Sequence, residues 1–198
     1  MLISTRLTRR AVAIAAAALA AVATTAAPAS ATSGQHPDPT TDVRLITFND
    51  FHGNLEPPSG SSGRVNLPGG TTVNAGGAAY LATHVKQLRD QVNSAGDNVG
   101  ASPVISALFH DEPTIDFLNS LGVKASVVGN HEFDKGYKEL QRMQFGGCNP
   151  TDGCQFRSSF HGAKFPLFGA NVTFTNGFPA LLPFSIRYSG GVPIGAPP

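Results

Sequence analysis

The sequence predicts an α/β fold built around a mostly parallel β-sheet. Three observations carry that prediction. Beyond residue 41, short runs of strand character alternate with segments of helical periodicity, the pattern of strands joined by crossover helices. Clusters of Gly, Asp, Asn and His follow those strands or possible strands, where open α/β sheets gather ligands. Composition allows a core: 41% of the 198 residues are hydrophobic and 14% are charged, and the length suits one domain.

The chain opens on an export pattern. Arg6, Arg9 and Arg10 make a basic start, and Ala11 to about Ala23 is an apolar run too short to span a bilayer as a lone helix. Ala29-Ser30-Ala31 then supplies the small-x-small pattern of a cleavage site. Residues 1–31 are read as a signal peptide cleaved near Ala31, with an uncleaved membrane anchor as the alternative. The protein is accordingly expected to be secreted or held in the cell envelope. Thr8-Arg9-Arg10 does not decide between the general and the twin-arginine export routes. Residues 32–41 are polar and Pro-rich and read as a flexible leader, leaving 42–198 as the folded portion. Without the signal, 11 basic side chains stand against 13 acidic ones, a net charge of −2. That balance offers no electrostatic case for a nucleic-acid polymer or an anionic membrane surface as partner.

Val43 to Phe48 is mostly apolar on both faces, as a buried parallel strand should be. Pro57 to Gly77 is a long loop rich in Gly, Ser and Pro. From Gly76 to about Arg89, the spacing of Ala78, Leu81, Val85 and Leu88 predicts an amphipathic helix. A second helix runs from about Pro113 to Leu121, with Asp111 and Glu112 at its positive end and Gly122 to stop it. Ala125 to Val128 is a short strand, Tyr137 to Met143 a short helix, and Phe165–Val172 and Phe184–Tyr188 further strands. Cys148 and Cys154 are the only cysteines. In an exported protein that spacing predicts a small disulfide loop, and a zinc site would need further ligands that the local sequence does not offer.

Three polar clusters carry the chemistry: Asp50-x-His52-Gly53, Gly96-Asp97-Asn98, and Gly129-Asn130-His131-Glu132-Phe133-Asp134. Carboxylates, an imidazole and an amide oxygen together suit divalent cations. Taken singly, each is ordinary: Asp after a strand is usually a turn or cap residue, and Asn readily takes left-handed turns. The reading rests on their convergence. His84, His110 and His161 are read as boundary or loop residues rather than ligands, and Glu132 as a structural acceptor for backbone amides of its turn.

With these segments the chain resembles the secreted 5′-nucleotidase family, within the calcineurin-like metallophosphoesterases. The likeness rests on Asn49-Asp50-Phe51-His52-Gly53, Ala95-Gly96-Asp97-Asn98 and Gly129 to Gly136, flanked by Gly76 to Ala82 and Asp111 to Thr114. It covers Asp42 to about Gly195 and implies an incomplete α-β-β-α sandwich. It further implies two divalent metal ions (Zn, Mn or Mg). Asp50 and His52 would bind the first, Asp97 would bridge both, and Asn130 would bind the second. His131 would contact the transferring phosphate or the leaving oxygen, oriented by Asp134. The implied reaction is hydrolysis of nucleotide phosphate monoesters by in-line attack of metal-activated hydroxide.

The pattern also departs from the family. The resemblance implies later histidines, including a Gly-His-x-His segment, and a C-terminal nucleoside-binding domain, whereas no histidine follows His161. The chain is therefore expected to be an N-terminal portion, weakly active or inactive by itself. The alternative is a secreted metal-binding remnant without turnover. A helix over Gly76–Arg89 rises roughly 20 Å, and the residues left before Asp97 span at most about 26 Å. This tight return, with only Gln91 to Ser94 for the next strand, puts the placement of Asp97 in question.

Overall fold

The computed structural model describes residues 42–88, 91–189 and 191–196. The export signal and leader expected over residues 1–41 lie outside the described residues. Four strands form a parallel sheet in the order β1-β4-β5-β6: β1 Leu45–Phe48, β4 Gln91–Ser94, β5 Val123–Val127 and β6 Leu167–Phe168. Two antiparallel pairs stand apart from it, β2 Arg64–Asn66 with β3 Thr72–Asn74 and β7 Ser185–Ser189 with β8 Val192–Ala196. The helices are α1 Gly77–Leu88, α2 Val104–Ala107, α3 Glu112–Leu121 and α4 Tyr137–Phe145. The α/β class holds.

The core explains why these segments adopt these forms. Val85 of α1, Leu118 and Leu121 of α3 and Leu140 of α4 meet Val92, Val123 and Leu167 of the sheet, with Phe165 completing the cluster. Of the stripe read on the first helix, Val85 is buried there and Leu81 packs against it, while Leu88 is 46% exposed. Leu118 is fully buried, and burying a leucine of this kind contributes about 1.5–3 kcal/mol.

Several expectations need correction. β1 is an edge strand, not a buried one: Leu45 is 48% exposed, because only β4 flanks it in the sheet order. An interior position falls instead to β4, three of whose four residues are polar. They are accommodated by pairing, since Ser94 donates to Asn98 at 2.7 Å and Asn98 donates to Ser126 at 2.9 Å, all three buried. The Pro57–Gly77 loop contains the β2–β3 hairpin, and α2 had no sequence signal strong enough to predict it. The Phe165–Val172 strand shrinks to β6. The tight return before Asp97 is met by the helix stopping at Leu88 and β4 starting at Gln91, with a register irregularity between Val92 and Asn93. Asp97 is not displaced by it.

Candidate metal centre

Parallel pairing continues past the strand ends and sets the site. Beyond β1 and β4, Ala95 donates to the Phe48 carbonyl, Asp50 to Gly96, His52 to Asp97 and Gly53 to Asn98, all at 2.8–3.0 Å. The two following turns are thus held side by side at the carboxyl end of the sheet. There Asp50, His52 and Asp97 each offer a ligand atom, and these atoms lie within 4.8 Å of one another. All three backbones are left-handed, at φ 53°, 44° and 50°. Each such non-glycine residue costs about 1–2 kcal/mol, so the surrounding hydrogen bonds hold the donors in a conformation the chain would not choose unaided.

His52 is fixed by a residue the sequence reading did not single out. Its Nδ1 lies 2.9 Å from the carbonyl oxygen of Gly100, so Nδ1 carries the proton and Nε2 is left as the donor face, 3.6 Å from Asp50 Oδ1. Only the backbone of residue 100 takes part, which is why residue type gave no signal.

The turn after β5 supplies the third cluster. His131 N–H donates to Asp97 Oδ1 at 2.9 Å, bringing the Asn130–His131 backbone to the same rim, with Asn130 exposed. The His131 ring lies edge-on to His52, centroids 4.8 Å apart. Its Nδ1 is 2.8 Å from Asp134 Oδ2, and that hydrogen bond is the main reason its pKa lies above the ordinary imidazole value. Burial is the next largest effect and opposes it, while the charges of Asp134, Asp97 and Glu132 act with the hydrogen bond. Glu132 is buried and accepts from the amides of Asp97, Asn98 and Gly129. Its expected structural part is therefore larger than one turn. Desolvation raises its pKa, and the three amides pull the other way.

The turns pack closely enough to require glycine at one position in particular. A Cβ on Gly129 would lie 2.2 Å from Asp97 Oδ1. The donor side chains face solvent, Asp50 being 55% and His52 22% exposed. A cavity of about 680 Å³ between α4 and residues 179–183 contains none of the candidate residues.

The remaining predicted residues lie elsewhere. Cys148 and Cys154 form the expected disulfide. His110 binds Asp152 of that loop at 2.8 Å, His161 contacts Ser159, and His84 is exposed on α1. A buried ion cluster was not anticipated: Arg142 pairs with Glu112 at 2.6 Å and Glu139 at 2.8 Å. Glu112 and Arg142 lie 30 residues apart, so no local spacing announced it.

No family model matches the chain. A protein of Acinetobacter calcoaceticus, described as an uncharacterized protein in the pqq-V 5′ region, is 40% identical over 172 residues, covering 76% of this chain and 80% of that protein. The bovine 5′-nucleotidase is 32% identical over 108 residues, half of this chain. Its homologues are 5′-nucleotidases and nucleotide phosphoesterases. These homologues are hydrolases. Among solved structures, the NAD nucleotidase of Haemophilus influenzae superposes with a TM-score of 0.56 at 25% identity, over 76% of this chain. This chain spans 17% of the bovine homologue and 25% of the Haemophilus one.

Proposed function

We propose that this chain carries the cation-holding part of a secreted metallophosphoesterase acting on nucleotide phosphate monoesters. One observation carries the reading: the Asp50, His52 and Asp97 donors lie within 4.8 Å of one another, beside a His131 backed by Asp134. Two carboxylates and an imidazole whose tautomer leaves Nε2 free fit one divalent cation. Such a cation, when bound, would polarise phosphoryl oxygens and lower the pKa of the attacking water. The chain's own groups supply the rest. Asp50, His52 and Asp97 hold the charge opposite the phosphoryl group. His131 stabilises that group's negative charge and gives its proton to the leaving oxygen as the ester P–O bond breaks and water adds to phosphorus; the water's proton passes to solvent, which reprotonates His131. Asp134 keeps the imidazole oriented and charged for that step.

A second ion fits less well. Its expected donors here are Asp97 and Asn130, and a carboxylate with a neutral amide is a poor set for a divalent cation. No step is assigned to it. This donor set also favours the second reading, a secreted metal-binding remnant without turnover. Secretion is supported by the signal pattern of residues 1–31. No helix among the described residues is long and apolar enough to cross a membrane.

The test is phosphate release from AMP with Mn²⁺, Mg²⁺ or Zn²⁺, comparing the chain with His131→Ala, alongside calorimetric titration with Mn²⁺. Cation binding lost in Asp50→Asn, with little release from this 198-residue chain, is expected. Release at an ordinary enzyme rate that depends on His131 would overturn the low-turnover expectation. Absence of cation binding would overturn the site.

A further inference from the structure

Two loops carry the proposed donors of the third and second clusters, and two carboxylates join them. Glu132 is 6% exposed. Its Oε2 accepts from the amides of Asp97 at 2.9 Å and Gly129 at 2.6 Å, and its Oε1 accepts from Asn98 at 2.8 Å. Asp97 answers in the opposite direction, its Oδ1 accepting from the His131 amide at 2.9 Å. The two acidic side chains therefore cross the gap between the turns, each gripping the backbone of the other's loop. Asp97 sits at φ 50°, which a non-glycine residue keeps only when its surroundings over-determine it. Three amides gathered on one buried carboxylate provide that constraint.

We propose that Glu132 is a positioning residue for the cation: it fixes the left-handed Asp97 and the width of the gap to the His131 turn without touching the ion. The proposal rests on the reading that Asp50, His52 and Asp97 bind a divalent cation. Partners in the shell behind metal ligands typically change metal affinity by roughly 10–100-fold when altered. In Glu132→Gln the oxygen can serve only part of the triad, and the amide NH₂ meets a backbone N–H. Glu132→Asp keeps the negative charge but is one methylene too short to reach all three amides, so it separates reach from charge.

The experiment is Mn²⁺ titration by calorimetry of the wild-type chain, Asp50→Asn, Glu132→Gln, Glu132→Asp and Leu121→Ala. Leu121 is a buried core residue just before β5, at the end of the sheet away from the site, and controls for lost stability alone. Circular dichroism confirms that each variant is folded at the assay temperature. Amide resonances of Asp97, Asn98 and Gly129 are followed in the metal-free protein. The expected result is a tenfold or greater loss of affinity in both Glu132 variants, displaced resonances at those three amides, and wild-type affinity in Leu121→Ala. Should Glu132→Gln fail to fold, Glu132→Asp carries the comparison. A folded Glu132 variant binding within twofold of wild type would overturn the proposal, as would an equal loss in Leu121→Ala. Wild-type affinity restored by Glu132→Asp would also overturn it, by assigning the effect to charge. If the wild-type chain itself takes up no Mn²⁺, the reading of the site falls first, and the proposal with it.

Discussion

Gly129→Ala is the smallest change that strikes the centre. The added Cβ would stand 2.2 Å from Asp97 Oδ1, 2.6 Å from its Cγ and 3.0 Å from its backbone nitrogen. Ordinary contacts lie near 3.5 Å, so something must move by about 1 Å. Asp97 has little freedom to yield, because its amide is bound to Glu132 and its Oδ1 to the His131 amide. Either the carboxylate rotates away, losing a hydrogen bond to a charged acceptor, or the two turns part and the Glu132 bonds lengthen. Both routes resemble overpacking, which costs about 1–3 kcal/mol, and both displace Asp97, a proposed cation donor. The assay is urea unfolding together with Mn²⁺ titration. A stability loss in that range and at least a tenfold loss of affinity are expected. Gly122→Ala is the comparator: its φ of +81° makes alanine strained, but a Cβ there meets nothing within 4 Å. It should cost about 1–2 kcal/mol from backbone conformation alone and leave affinity untouched. A Gly129→Ala protein binding Mn²⁺ as tightly as wild type would refute the packing argument.

Three further outcomes follow from other parts of the fold. In the metal-free protein, Asp134→Asn should bring the His131 pKa down toward the ordinary imidazole value, read by NMR titration of the ring protons; an unmoved titration contradicts the pairing. By linkage, the pair favours the folded state fully below about pH 6.5 and loses that contribution as pH rises through the raised value. Arg142→Met should cost about 3–5 kcal/mol in urea unfolding, because it strands a buried carboxylate; Glu112 is 1% exposed and its Oε2 has no hydrogen-bond partner among the described residues. The double change Glu112→Leu with Arg142→Met should recover most of that loss, and failure to recover would point away from an unpaired charge. Opening the Cys148–Cys154 loop with Cys148→Ser should cost about 2 kcal/mol, from the loop-closure entropy of so short a ring, and an unchanged unfolding curve would show that the loop is held by its other contacts.

The parts of this fold legible in the sequence are those where a local pattern has one physical cause. The stripe on α1 turns Leu81 and Val85 into the core, Gly122 ends α3 in a left-handed turn, and the cysteine spacing closes a small ring. Burial was misjudged where it depends on neighbours in space. Apolar Leu45 lies at a sheet edge, and polar Ser94 lies inside because Asn98 and Ser126 complete its hydrogen bonds. The candidate site divides in the same way. Asp50, His52, Asp97, His131 and Asp134 announced themselves by side-chain chemistry, whereas the Gly100 carbonyl acts through the backbone. The Glu112–Arg142 pair spans separate helices and had no periodicity to reveal it.

Anomalous diffraction from crystals grown with Mn²⁺ tests the metal centre most directly. A peak is expected at coordinating distance from Asp50, Asp97 and the Nε2 of His52, with the His131 ring alongside. A peak at other residues, or none in crystals whose solution binding shows no cation uptake, would contradict it.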